Sequence, residues 1–184
     1  MFKTYILGTG YLSNKISKKI NNSEILSAKE FFLKINKFNK SKKKYNLIIN
    51  SFYSARKLNK LSSYKKFVEK SLLDIAEIFD YIDSRLINKI LYTSSSSVYG
   101  SIGGKIGIID KNNRYIYSSL KVSAENLIKN FCKKKKIVFD ICRVFNLYGP
   151  NDNFSIISKL IDKKKKNKIK IFNRGESIRD FIHV

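Results

Sequence analysis

Short apolar runs alternate with amphipathic stretches along nearly the whole chain, and this alternation restricts the fold more than any other feature. Lys3–Gly8 reads as a strand that runs into a glycine turn. Leu12, Ile16 and Ile20 then recur every fourth residue, which predicts a helix over Tyr11–Ile20. Glu24–Leu26 reads as a very short strand, and Phe31, Phe32, Ile35 and Phe38 predict a helix over Ala28–Phe38. Asn46–Ile49 is a continuous apolar run, as expected of a strand buried on both faces. Residues 51–62 read as a loop. Val68, Leu72, Ile75, Phe79 and Ile82 then mark a long amphipathic helix over 64–82. The pattern continues with a strand over Lys89–Ser94, a glycine-containing loop over 100–114 and a helix over Tyr117–Lys134. That helix carries Leu120, Ala124, Leu127 and Phe131 on one stripe. A strand over Ile137–Val144, a helix over Phe154–Lys166 and a strand over Lys168–Phe172 complete the series. Such alternation specifies an α/β fold, a doubly wound parallel sheet covered by helices on both faces. No internal repeat or low-complexity linker divides it, and Pro150 is the only proline.

Composition narrows the class. A length of 184 residues suits one domain with a sizeable core, and 24 Phe and Tyr side chains mark a globular chain. No apolar run approaches the roughly 20 residues that span a bilayer. The apolar stretch at the N-terminus is too short, and too soon broken by Gly8, for a signal peptide. Cys132 and Cys142 lack the spacing of a metal site and the density of a disulfide framework, so they read as reduced thiols of a cytoplasmic protein. His183 is the only histidine and no metal cluster surrounds it; strand-edge pairing is its simplest role. The net charge of +24 invites a nucleic-acid reading, but lysine is spread along the whole chain and arginine occurs only six times. Lys133–Lys136 and Lys163–Lys166 each close an expected helix, where cations complement the macrodipole. Solvated faces therefore explain the lysines better than a dedicated nucleic-acid site.

Two motifs carry chemistry. Gly8-Thr9-Gly10-Tyr11-Leu12-Ser13 lies between the first strand and the first helix, where glycines let a backbone approach a pyrophosphate. Ser13 takes the place of a third glycine. Tyr117 and Lys121 share one helix face, downstream of the serine run Ser94–Ser97. A Tyr-x-x-x-Lys pattern by itself means little here. With 11 tyrosines and 32 lysines, about two such pairs arise by chance, and Tyr11/Lys15 and Tyr53/Lys57 also match. Context selects Tyr117/Lys121.

That context resembles the extended short-chain dehydrogenase/reductases of the NAD-dependent epimerase/dehydratase family, which act on nucleotide sugars. Five segments match in order: Gly8–Ser13, Tyr92–Gly100, Tyr117–Glu125, Arg143–Pro150 and Gly175–Val184. The resemblance implies a Rossmann fold, NAD or NADP as cofactor and a nucleotide-sugar substrate. It assigns Tyr117 as the catalytic acid/base, with Lys121 holding the nicotinamide ribose and lowering the tyrosine pKa. Ser95 would hydrogen-bond the reacting oxygen, although four adjacent serines leave that position open by one. Gly8, Gly10, Tyr11, Leu12, Ser51, Tyr117, Lys121 and Val144 would contact cofactor. Ser95, Asn146 and Arg179 would contact substrate, the guanidinium suiting a diphosphate. Helices 64–82 and 117–134 correspond to those that pair in the family's homodimers.

Departures from the family sharpen these expectations. The 4,6-dehydratases carry an Asp-Glu pair where this chain has Ser96-Ser97, which argues against water elimination. The second strand is followed by Ser27-Ala28-Lys29 in place of an acidic residue, so a 2′-phosphate could be accepted and NADP is plausible. The third strand ends in Asn50-Ser51-Phe52-Tyr53, unlike the family's usual His-Leu-Ala-Ala. Residues 1–184 read as the NAD(P)-binding domain, with a substrate-binding part begun at about 150–184. Family members generally run on the order of 100 residues further. A fragment, a truncated frame or completion by a separate chain would each account for this, and an NAD(P)-binding module without turnover is the alternative function.

Overall fold

The structure, a computed structural model, describes residues 1–52, 64–100, 116–164, 173–176 and 178–184. The Tyr53/Lys57 pair, the loop over 101–114, the strand expected over Lys168–Phe172 and most of the 51–62 loop lie outside the described residues. The chain forms two compact units, Met1–Arg143 and Val144–Val184.

The first unit is built on a five-stranded sheet. Its strands are β1 (Lys3–Leu7), β2 (Ser23–Leu26), β3 (Tyr45–Ile49), β4 (Ile87–Ser95) and β5 (Val138–Val144), in the order β2-β1-β3-β4-β5. Strand β1 pairs in parallel with β2 and β3, and β3 with β4: Leu7 stands opposite Leu26 and Ile49, and Ile49 opposite Tyr92. Parallel neighbours need crossovers, and helices α1 (Tyr11–Ser17), α2 (Ala28–Asn39), α3 (Tyr64–Val68), α4 (Asp74–Tyr81) and α5 (Ile116–Lys135) provide them. The strand order reverses between β1 and β3. Open α/β sheets bind ligands outside the carboxyl ends of their strands at such a switch point.

Apolar side chains account for the layers. Ile6, Leu7, Leu47, Ile49 and Ile90 are buried in the central strands, whereas β5 alternates between exposed and half-buried residues. That alternation fits a strand at the end of the sheet order among the described residues, with one face more covered than the other. Helix α1 stops at Ser17, short of the expected Ile20. Lys19 and Ile20 form tight turns, donating their amides to Ile16 and Ser17 oxygens at 2.9 and 3.3 Å. A wide π turn over Glu69–Leu73 separates α3 from α4. It adds about one residue to the helical repeat. Phe67, not Val68, is consequently the buried residue of α3, ahead of Ile75, Ile78 and Phe79. Phe79 stacks on Phe131 of α5 at 3.9 Å between centroids, joining the two helices.

In the second unit, β6 (Asn146–Tyr148) pairs in parallel with β7 (Phe181–His183), and α6 covers Ile156–Lys164. Asp152 organises the turn before α6: its carboxylate accepts from the amides of Gly149, Phe154 and Ser155 at 2.8–3.0 Å. His183 lies in β7 opposite Tyr148, with ring centroids 5.1 Å apart. Strand pairing is thus its observed place.

Candidate functional site

The carboxyl ends of β1, β3 and β4 in the first unit gather the residues singled out above. After β1 the backbone of Gly8 turns through φ 110°, and a Cβ there would lie 2.8 Å from the Ser51 carbonyl oxygen. Only glycine fits this close approach of two strand ends. At Gly10 a Cβ would meet nothing within 4 Å, so the space over the turn is open. Gly10 is also the N-cap of α1 and no side chain caps the helix. A glycine turn leading into a helix N-terminus that no side chain caps fits an incoming phosphate group.

A buried polar chain fastens the turn to the catalytic side of the sheet. Asn50, at the end of β3, donates its amide to Ser13 Oγ at 2.7 Å. Its Oδ1 accepts from the Thr93 hydroxyl at 2.7 Å and from the Ser51 amide at 2.8 Å. Two departures from the family pattern, Ser13 and Asn50, therefore meet each other. Each partner alone would be a buried polar group lacking its bond.

Three consecutive residues of β4 reach α5. The Lys121 ammonium donates to the Thr93 carbonyl at 2.9 Å, and the Ser94 hydroxyl donates to Glu125 Oε1 at 2.6 Å. The Ser95 hydroxyl lies beside the Tyr117 phenol, where it opposes part of the rise in the tyrosine pKa. Among the adjacent serines, Ser95 is thus the one beside the tyrosine, while Ser94 is turned to a different task. Tyr117 and Lys121 line one cleft together with Asn50, Ser51, Lys70 and Tyr92. The Tyr11/Lys15 pair has a similar cation–ring separation, 5.1 Å, but neither of its residues is buried. Burial distinguishes Tyr117/Lys121, whose lysine is only 7 % exposed.

Burial also sets the charges. It pushes the Lys121 ammonium down to about 8, with Glu125 opposing the shift. It pushes Tyr117 above its ordinary value. Ser95 is the group that opposes this rise. The ammonium lies 5.9 Å from the Tyr117 ring centroid and spends a proton on Thr93. Desolvation outweighs the remaining attraction.

The stripe expected on α5 is corrected too. The fully covered residues are Ser118, Lys121, Ala124, Glu125, Ile128 and Cys132, while Leu127 and Phe131 are only partly buried. An apolar-only reading passes over the two charged residues of this face. Glu125 is the functional-looking residue it underrates, although its place four beyond Lys121 is visible in the chain.

The end of β2 bears on the choice of cofactor. Ser27 caps α2 by accepting from the Glu30 amide at 3.2 Å, while Glu30 Oε2 accepts from both the Ser27 amide and hydroxyl at 2.7 Å. This capping box occupies the Ser27 hydroxyl and brings a carboxylate beside it. The Gly8 amide donates to Leu26 O at 2.7 Å, which ties the glycine turn to the strand end that precedes Ser27.

Val144, Asn146 and Arg179 belong to the second unit. Asn146 donates its side-chain amide to Asp180 O at 2.9 Å, tying β6 to β7, and Arg179 is exposed. Among the described residues no helix is long and apolar enough to cross a membrane.

A doubly wound parallel sheet with a phosphate-fitting turn at its switch point defines a Rossmann-type domain. The chain belongs to the NAD dependent epimerase/dehydratase family, which it matches over residues 19–184. The glycine turn lies ahead of that match. A curated relative, the dTDP-D-glucose 4,6-dehydratase of Dictyostelium discoideum, is 28% identical over 160 residues, covering 78% of this chain and 36% of its own. The UDP-glucose 4-epimerase of Thermotoga maritima, solved with UDP-glucose, superposes with a TM-score of 0.77 at 14% identity. The UDP-glucuronic acid 4-epimerase of Bacillus cereus, solved with UDP-glucuronic acid and NAD, gives 0.66 at 18%. Each superposition covers 99% of this chain and 69% of the other. At these identities the superpositions speak for the fold. The chain thus spans about a third of the curated relative's length.

Proposed function

We propose that this chain is the cofactor-binding and catalytic part of an NAD-dependent epimerase or reductase of a nucleotide-activated sugar. The observation that carries this reading is the meeting of Ser95, Tyr117 and the buried Lys121 where β4 reaches α5. In this reading Gly8, Gly10, Tyr11 and Leu12 take the pyrophosphate, and Ser51 and Val144 are further cofactor contacts. When bound, NAD supplies the hydride acceptor and donor. Ser95 orients the reacting oxygen and Tyr117 Oη exchanges its proton. Because burial raises its pKa, Tyr117 rests as a phenol at neutral pH. Its proton is ready for a forming alkoxide; the opposite direction requires the Lys121 charge closer to the phenol oxygen. The capping-box carboxylate of Glu30 favours NAD over NADP. Asn146 and Arg179 are the substrate contacts in this reading, and Arg179 suits the diphosphate. The curated relative is named a 4,6-dehydratase, but Ser96-Ser97 supply no acid/base pair to expel water, so epimerisation or reduction is favoured here. Helices 64–82 and 117–134 are the proposed homodimer face, and sedimentation showing only monomer at high concentration would count against it.

Titrating NAD into the chain, beside an assay of UDP- and dTDP-sugar turnover, tests the proposal. Tyr117→Phe should abolish turnover and leave NAD binding intact; full activity in that variant removes Tyr117 from the mechanism. A second reading is an NAD-binding module without turnover. NAD binding with no turnover of any sugar in the panel would select it.

A further inference from the structure

One cluster of charge beneath this site has no part in the chemistry just described. Glu125 is 0% exposed and lies one turn beyond Lys121 on α5. Arg143, at the end of β5, forks onto it, with Nε to Oε1 at 3.0 Å and Nη2 to Oε2 at 2.8 Å. Ser94 donates to the same carboxylate from β4 at 2.6 Å, and Lys129 stands 3.5 Å away. Arg143 also donates to Tyr99 Oη at 3.3 Å and lies over that ring, 5.1 Å from its centroid. The Arg143 and Ser94 bonds outweigh the burial that pushes the carboxyl up, and hold it below its ordinary value. Glu125 is thus an ionised carboxylate joined to β4, to β5 and, through Arg143, to the turn after β4.

Stability alone is a poor reason for such a cluster. Apolar residues of similar volume commonly serve a core as well as a buried ion pair or better. Position is the better reason. Ser94 sits between Thr93, which holds Lys121, and Ser95, which lies beside Tyr117. Tyr117, Lys121 and Glu125 follow at four-residue intervals on one face of α5. Sliding or rotating α5 against β4 would break all three contacts together, and the fork from Arg143 resists that motion with two directional bonds.

We propose that Glu125 is a positioning residue, which through Ser94 and Arg143 locks the strand bearing Ser95 to the helix bearing Tyr117 and Lys121. The proposal rests on the reading of those three residues given above. It has an electrostatic consequence. Lys121 faces the Tyr92 ring and Thr93 carbonyl of β4, Tyr117 and Glu125 of α5, and Lys70 across the cleft from the π turn. Within that set Glu125 is the negative charge that favours the ammonium.

Two measurements on the full chain test this. The first is NAD affinity by calorimetry between pH 6 and 10. The wild-type midpoint should fall near the lysine's value of about 8. Glu125→Gln should move that midpoint to lower pH and weaken NAD binding roughly tenfold at pH 8. The second is the ring ¹³Cζ resonance of Tyr117, assigned from Tyr117→Phe, which should shift in Glu125→Gln as the contact with Ser95 loosens. If Glu125→Gln does not fold, Glu125→Met/Arg143→Met carries the test. That neutral pair should recover the melting temperature while both readouts remain displaced. A folded variant lacking the carboxylate, with the wild-type midpoint and wild-type Tyr117 resonance, overturns the proposal. Failure of the wild-type chain to bind NAD would instead defeat the functional reading, and the Tyr117 resonance would still decide the positioning role.

Discussion

At the scale of single residues, function and stability pull in opposite directions at Lys121. Its pKa falls from an ordinary 10.5 to about 8 because burial penalises the ammonium. Below pH 8 the folded chain carries the full cost of that buried charge. As pH rises from 8 towards 10.5, the folded lysine has released its proton while the unfolded one still holds it, so the cost disappears. Lys121→Met should therefore raise stability at pH 7 by about 3 kcal/mol at most, since one pKa unit is worth about 1.4 kcal/mol. The gain should vanish near pH 10.5, and NAD binding should be lost. Melting curves at the two pH values check this, and a variant less stable at pH 7 refutes it. A second prediction concerns Glu30. Glu30→Gln keeps the capping geometry but removes the charge beside Ser27. NADP affinity should rise several-fold relative to NAD, read by calorimetry with both cofactors; an unchanged ratio would release Glu30 from cofactor choice. Tyr117 and Lys121 were legible at this scale because their spacing is a property of the chain. Their pKa shifts were not, because they depend on what covers each group.

Elements introduce couplings that no local window contains. Ser13 stands on α1 and Asn50 at the end of β3, 37 positions apart, yet they share a buried bond of 2.7 Å. Ser13→Gly restores the family's small residue but orphans the Asn50 amide. It should cost about 1–2 kcal/mol, measured by denaturant unfolding. Asn50→Ala removes the bonds to the Ser13 hydroxyl, the Thr93 hydroxyl and the Ser51 amide, and should cost about 3 kcal/mol. Greater stability in Ser13→Gly would show that the pair does not compensate for the missing glycine. The helices tell a similar story. Apolar periodicity located α4 and its buried Ile75 and Phe79, but it missed the phase in α3, on the far side of the π turn, and the face of α5 that carries Lys121 and Glu125. Hydrophobicity cannot announce a buried charge whose partners, Thr93, Ser94 and Arg143, are distant in sequence.

The whole molecule is governed by its net charge of +24. Like charges at this density repel in the compact state, and salt screens them over about 8–10 Å at physiological ionic strength. The melting temperature should therefore rise between 50 and 500 mM NaCl; a flat or falling curve would mean that ion pairs such as Lys3–Glu24 and Lys89–Asp140 outweigh the repulsion. Diffuse lysines should also give DNA binding that vanishes by moderate salt, whereas retention would revive a nucleic-acid role. By itself, the sequence determined the alternation of strands and helices, the glycine turn after β1 and the Tyr117/Lys121 spacing, all of which follow from contacts within a few residues. Tertiary structure alone decided that Ser95 meets Tyr117, that Glu30 occupies the Ser27 hydroxyl, and that Arg143 closes on Glu125. Those outcomes depend on which groups lose water and which partners remain to satisfy them, and only the packed sheet and its helices set that.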